Sequence, residues 1–447
     1  MKHTREHHGA AVMAGGERAR EPAQLPIWRN RAYMLLWSGQ IGSAVGTGVT
    51  RLAFPLLVLA LTGSPAQAGF ISAARTVPYV LLSLPAGALV DRLDRKRVML
   101  VCEAGRIVTL ASIPVAFVLG RPPIALLYAV SLAEGIFYVF FSLAETASVP
   151  SLVSKDQLAD ATVLNEGTFT AQQLVGSPLG GVLFGIAQTL PFLANAISYA
   201  LSFASLLLIR GRFQQERAAT SLRLREQIAE GVHWLWRQRL LRFMALMTGA
   251  GSLVFPGTTL IVIVLAQGQH ASSGTIGVIL TAGGIGGVAG MVTTAFVQKR
   301  FSFGQIIITS GWLYAAFWLF FAVAPGLFAL GLALFALSVV DSIYNIVQFG
   351  YRRALIPDAL QGRVNSVFRL LLFSLDALGL AVTGILLQRV GPIATILIME
   401  VFLAAIALVA TFNPRVRHAP PVFGTAAPPP AADEVLGAAY AETAERS

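Results

Sequence analysis

The sequence predicts an all-α integral membrane protein of twelve transmembrane helices in two six-helix bundles, and three observations carry that prediction. Hydrophobic residues make up 55% of the 447-residue chain and charged residues only 12%. An average soluble domain carries about a quarter charged residues, so this chain has too little polar surface to face water on all sides. The apolar residues are gathered in long runs, each sufficient for a bilayer span of about 20 residues. The basic residues, in turn, fall in alternate connections between those runs. Lipid offers no partner for backbone N–H and C=O groups, which leaves helices or closed barrels. Barrel strands alternate polar and apolar residues; these runs do not.

The polar N-terminal tail, residues 1–32, holds His3, His7 and His8 and lacks a short apolar core followed by a cleavage site. The first long apolar run would itself direct insertion, and either Met1 or Met13 serves as the start. The first bundle, 33–209, holds spans at 33–61, 67–89, 98–119, 124–146, 162–188 and 191–209. The second, 243–412, holds spans at 243–267, 274–298, 304–323, 327–350, 363–388 and 391–412. Between them lies the basic linker 210–242. Its Leu224, Ile228, Val232 and Leu235 recur at helical spacing. It reads either as an amphipathic helix on the membrane surface, held by lipid headgroups, or as a solvated linker. The tail 413–447 is rich in Pro and Ala without apolar periodicity and reads as disordered.

Orientation follows from lysine and arginine. The basic connections hold Arg92, Arg95, Lys96 and Arg97; Lys155; the linker; Lys299 and Arg300; and Arg352, Arg353 and Arg363. The other connections hold only Arg121 and Arg389. The positive-inside rule places the basic loops and both tails in the cytoplasm, the chain crossing the membrane an even number of times. The formal charge of +11 therefore follows topology, and nucleic acid is excluded as a partner in favour of membrane lipids. The single cysteine, Cys102, allows no intramolecular disulfide and no zinc site of several thiolates; no metal or cofactor is expected.

The halves are related in plan. Pro150-Ser-Leu-Val-Ser-Lys-Asp-Gln-Leu and Ile356-Pro-Asp-Ala-Leu-Gln-Gly-Arg each lie between the fourth and fifth spans of their half. Two related halves with a substrate site between them are a common plan for secondary transporters. The sharpest local pattern runs from Gly87 through Asp91, Arg92, Asp94, Arg95, Lys96 and Arg97, between spans two and three. Glycine allows close helix approach, and Asp91 is suited to a helix N-terminus. The arginines can pair with an acid on a neighbouring helix end such as Glu145. The cluster reads as a conformational latch, or more simply as a topology-setting loop.

This loop resembles the hallmark of the major facilitator superfamily, with Asp94 in place of the usual second glycine. Leu36-Trp-Ser-Gly-Gln-Ile-Gly-Ser, Leu61-Thr-Gly-Ser-Pro, Ser177-Pro-Leu-Gly-Gly, Phe192-Leu-Ala-Asn-Ala-Ile-Ser-Tyr and Gln361-Gly-Arg-Val extend the resemblance to its bacterial macrolide-efflux and enterobactin-exporter branch. The resemblance implies the major facilitator fold, alternating access, and a cavity lined by the first, second, fourth and fifth helices of each half. It also implies that Asp91 faces the start of span eleven, near Gly362 and Arg363. Gly176, Pro178, Gly180 and Gly181 in span five are similar to the helix-bending pattern of antiporters, with altered spacing.

Ionisable residues within spans face a cavity or a partner. Arg51, Glu134 and Asp376 fall near the midplane, Arg75 in the outer half and Asp341 toward the inner half. Glu134 and Asp376 are the candidates for proton titration, since burial raises a carboxyl pKa. Arg51 is a charge partner for Glu134 or an anchor for an acidic substrate group; a fixed structural pair is the alternative. Glu103 and Arg106 read as a local i,i+3 pair. The chain thus reads as a monomeric transporter exporting a small amphipathic molecule, powered by the proton gradient. Import or facilitated diffusion on the same fold is the alternative. A membrane enzyme or sensor is disfavoured for want of a catalytic cluster or output domain.

Overall fold

The computed structural model describes residues 26–210, 213–214, 224–417 and 419. Most of both tails, the choice of start and the middle of the linker lie outside the described residues. The described chain is helical throughout, with no strand among the described residues.

The first bundle comprises α1 (Arg31–Thr62), α2 (Pro65–Val90), α3 (Arg95–Val118), α4 (Ile124–Leu152), α5 (Leu158–Ile186) and α6 (Leu190–Leu208). Local chemistry sets their ends. The Asn30 side chain accepts the Tyr33 N–H to start α1, and Ser64 accepts the Gln67 N–H to start α2, whose first residue is proline. After the linker come α7 (Leu224–Arg237), α8 (Arg239–Ser252), a 3-10 turn at Phe255–Gly257, α9 (Thr258–Gly268), α10 (Ser273–Arg300), α11 (Phe303–Val323), α12 (Leu327–Leu355), α13 (Asp358–Phe412) and the short α14 (Pro414–Arg417).

Among the described residues, ten helical segments are long and apolar enough to cross a membrane. One of them, α13, folds back at Gly391 (φ 79, ψ 174) and so supplies two spans. The remaining span is α5, whose 29 residues include the cavity-lining Gln172 and Gln173. Twelve crossings result. The expected span 243–267 is not one helix. It breaks into α8, the turn and α9, where Pro256 supplies no N–H to carry the helix onward. Outward-facing Val108, Val115 and Val118 on α3, Leu201 and Leu208 on α6, and Val401 on α13 are exposed, as a lipid-facing surface requires.

The linker helix is neither a solvated tether nor seated by its amphipathic face alone. Leu235 is buried in a cluster with Leu241, Met244, Phe303 and Phe368 of the second bundle, and Val232 is exposed. A Cβ on Gly231 would lie 3.0 Å from the Arg363 carbonyl, so α7 rests directly on the start of α13. The Leu224 and Ile228 side chains lie outside the described residues.

The bundles meet along two symmetric seams, α2 on α13 and α5 on α10. Each crosses at a glycine pair. A Cβ on Gly69 would fall 2.9 Å from the Gly384 Cα, and one on Gly181 2.9 Å from the Gly277 Cα. Only residues without side chains allow such backbone approach. Both pairs lie toward the end away from the basic loops. There the largest hydrophobic cluster is common to both bundles, joining Leu56, Ile71 and Phe192 to Leu260, Ile276 and Trp318. At the basic end the cores are separate: one around Met99, Cys102 and Leu206, another around Leu241, Phe303 and Phe368. The two halves are joined at one end and parted at the other.

Candidate functional site

A cavity of about 890 Å³ lies between the bundles, within the range of about 300–1,000 Å³ usual for small-molecule sites. Its floor is the shared core, at Phe54, Ile71 and Leu260, and it runs past Pro150, Leu158 and Thr162 toward the basic end. In the first bundle α1, α2, α4 and α5 line it, as the family resemblance implies, and α3 departs from that plan by adding Arg106. The second bundle departs from that plan. It contributes only Pro256, Thr259 and Leu260 from the broken span and Phe373, Asp376 and Leu380 from α13. Helices α10 and α12 supply no lining among the described residues, because they pack backbone to backbone: a Cβ on Gly286 would lie 2.2 Å from the Phe335 carbonyl.

The cavity wall carries Arg51, Arg75, Arg106, Glu145 and Asp376. Arg51 is exposed into it, and Asp376 lies near enough to interact with its charge. Beside the cavity, Arg369 donates to the Tyr79 hydroxyl, and Tyr79 stacks on Phe373 with ring centroids 3.9 Å apart. Asp341 does not reach the cavity. It accepts the Tyr314 hydroxyl at 2.9 Å, between α12 and α11.

Glu134 also departs from expectation. It is 1% exposed, behind the wall, between α3, α4 and α6, and its charge partner is Arg106 at 3.7 Å rather than Arg51. The Tyr199 hydroxyl donates to its Oε2 and the Thr109 hydroxyl to its Oε1, each at 3.3 Å. Glu103 and Arg106 are therefore not a self-contained local pair. Arg106 turns to α4, while Glu103 accepts the Ser202 hydroxyl of α6 at 2.8 Å. Equal depth had suggested Arg51 for Glu134, but the two residues face different sides of the wall. Arg106 and Tyr199 as the partners of Glu134 are what the sequence reading lacks. The available signal was that Arg106 and Glu134 stand about equally far from the turn joining α3 to α4, and neighbours in a helical hairpin touch.

The motif loop is differently wired too. Asp91 ends α2 rather than facing a helix N-terminus; it lies 3.6 Å from Arg95 and is 66% exposed. The helix N-terminus belongs to Asp94, which caps α3 by accepting the Arg97 N–H at 3.1 Å. Its backbone is extended (φ −65, ψ 109), so this position needs no glycine. Arg95 donates to the Ala147 carbonyl on α4 at 2.8 Å and Lys96 to the Ile209 carbonyl beyond α6 at 2.7 Å, cations at helix C-termini. Arg92 is exposed. Glu145 forms no ion pair among the described residues and faces the cavity instead. Arg363 pairs with Glu230 of α7 at 2.5 Å, not with Asp91, because the bundles are parted here; a Cβ on Gly362 or Gly87 would meet nothing within 4 Å among the described residues. In span five, Gly176 and Gly180 fit against Gly48 and Val49 of α1, and Gly181 and Pro178 against Gly277 of α10. The motif wedges α5 between the two bundles, and α5 runs through Pro178 unbroken.

Residues 23–425 match the model of the transmembrane secretion effector family. The chain belongs to that family, a branch of the major facilitator superfamily. It is 26% identical over 398 residues to the multidrug efflux pump Tap of Mycolicibacterium fortuitum, covering 86% of this chain and 96% of the relative. It is 24% identical over 410 residues to the enterobactin exporter EntS of Salmonella typhimurium, covering 88% and 95%. Among solved structures it is similar in fold to the nucleoside transporter NupG, with TM-score 0.69 and 15% identity, covering 85% of this chain and 98% of that one. A bacterial homologue of the human lysosomal transporter Spinster gives TM-score 0.68 at 13% identity, covering 86% and 97%. The family is one of multi-pass membrane transporters, and this chain is one of them.

Proposed function

We propose that this chain exports a small amphipathic organic molecule from the cytoplasm, driven by proton entry across the bacterial inner membrane. The observation that carries the proposal is the cavity: drug-sized, partly apolar, charged in its wall, and opening only toward the end that holds the basic loops. The positive-inside rule makes that end cytoplasmic, with both termini on the same side, so the conformation described is open inward. A molecule enters from the cytoplasm or the inner leaflet, and parting of the two glycine seams releases it outside. The relatives named as a multidrug efflux pump and an enterobactin exporter support the direction. Transport needs one chain, no bound cofactor and no enzymatic step. In the outward-open state the inner ends close, bringing Asp91 toward Gly362 and Arg363 as the superfamily pattern implies.

The test is transport by purified protein in liposomes, with a panel of antibiotics and a catecholate siderophore under an imposed pH gradient. Movement that follows the gradient and stops with a protonophore is expected. If no member of the panel moved, proton-driven export would be lost as a reading. Import is the second outcome the assay resolves, since right-side-out and inverted vesicles would then accumulate the probe in the opposite sense.

A further inference from the structure

Behind the cavity wall the first bundle buries two carboxylates and one guanidinium. Glu103 is 0% exposed, Glu134 1% and Arg106 3%. With all three ionised the cluster carries a net charge of −1, and both of its carboxylates are buried. An unbalanced buried charge is strongly unfavourable, and such a group neutralises itself by binding a proton. One guanidinium balances one carboxylate; the other must be an acid.

The hydrogen bonds say which. Both oxygens of Glu134 receive a hydroxyl, from Thr109 and Tyr199, and Arg106 lies 3.7 Å away, as suits an anion. Glu103 accepts from Ser202 on Oε1, while its Oε2 is buried without a hydrogen-bond partner among the described residues. With a donor on only one oxygen, Glu103 is the less stabilised of the two as an anion and is the acid that takes the proton. Arg106 is loosely held: its Nε makes no hydrogen bond among the described residues, and its guanidinium lies over the Tyr199 ring at 4.1 Å. It stands one helical turn from Glu103, so a modest swing exchanges one acid for the other.

The cluster also communicates with the cavity. Arg106 is itself part of the wall. The Tyr199 hydroxyl bonds Thr47 at 3.0 Å, and Ser202 receives the Gln40 amide at 3.4 Å; Thr47 and Gln40 both line the cavity. Each acid is thus joined to the cavity through a hydroxyl and one further polar side chain. The packed elements contribute few other charges. From α3 the neighbour is Cys102, from α4 it is Glu145, from α2 it is Arg75, and α1 offers only uncharged groups.

We propose that Glu103, Glu134 and Arg106 form a site that binds one proton between two acids, outside the cavity but gated by the arginine in its wall. The chemistry balances simply: a carboxylate takes up H⁺ to become a carboxylic acid, and releases it when Arg106 crosses to that carboxylate. If the exporter reading holds, this is the group that couples it to the proton gradient.

Infrared difference spectroscopy on purified protein in lipid nanodiscs, scanned across pH, counts protonated carboxyls directly. The wild type is expected to show one carboxyl band from this site, and Glu103→Gln and Glu134→Gln should each abolish that same band. Either change leaves one acid paired with one arginine, so no proton is needed. Asp376→Asn should retain the band. Should one glutamine variant fail to fold, the other must still lose it. A band surviving both glutamine substitutions, or one removed by Asp376→Asn instead, overturns the site. Gradient-driven transport at the wild-type rate in Glu103→Gln would overturn the coupling role. Absence of transport by the wild type would count against the exporter reading, while the band would still decide the site.

Discussion

Consider the single added methyl of Gly181→Ala. The new Cβ would stand 2.3 Å from the Ser273 carbonyl oxygen and 2.9 Å from the Gly277 Cα, where ordinary contact begins near 3.4 Å. Both obstacles are backbone, so no side chain can swing aside, and α5 and α10 must separate by about 1 Å at this crossing. Overpacking of this kind costs about 1–3 kcal/mol. Alanine also favours the helix by about 1 kcal/mol over glycine, but it does so in every conformation and cancels from the balance between them. The seam is closed only when the cavity opens at the basic end, so the whole overpacking cost falls on that state. The expected shift toward the opposite state is about 5- to 150-fold. A Ser72→Cys reporter in the cavity, in a Cys102→Ala background, reads this out through its labelling rate with an impermeant maleimide added outside the cell. The rate should rise by that factor. Gly69→Ala, whose Cβ would meet the Leu380 carbonyl at 2.5 Å in the symmetric seam, should act in the same direction. Unchanged labelling in both variants, with normal expression, would refute the idea that these seams set the state.

Three further outcomes are expected. Asp94→Ala removes the α3 cap and should cost about 1 kcal/mol in thermal denaturation, whereas Asp94→Gly, the superfamily's own residue, should cost only a few tenths; equal losses would show that the cap is not what Asp94 contributes. Glu230→Gln breaks the pair with Arg363, whose partners are 27% and 47% exposed. Global stability should move by less than about 1 kcal/mol, while amide exchange in α7 should accelerate, and protection equal to wild type would mean that packing alone holds α7. Asp376→Asn leaves Arg51 without its neighbouring acid in the cavity. Vesicle assays with paired cationic and anionic probes should show the preference moving toward the anionic one, and an unmoved ratio would place Asp376 outside substrate contact.

The architecture was legible because lipid imposes it: apolar run length gives the spans. The break at Pro256 left no mark in hydropathy, since α8, the turn and α9 are all apolar. The charge pairs were harder. Depth along a helix can be counted from sequence, but the direction a residue faces around the helix cannot. Arg51 and Glu134 share a depth and look to different neighbours. That direction is set by small residues such as Gly48 against Gly176, whose partner is known only once the helices are packed. Asp91 and Arg363 were expected together from a family pattern that describes a closed inner gate. Here the bundles are parted at that end and Glu230, on a linker the pattern does not include, holds the arginine.

All but six of the residues that line the cavity belong to the first bundle. A bound molecule therefore rides with that bundle and exchanges few contacts when the second one swings. The surface that meets cargo is thus written mostly in one half of the gene, while the seams that set the state are written in both. Substitutions in the cavity wall of the first half that stay clear of Gly69 and Gly181 can alter what is held without touching either seam.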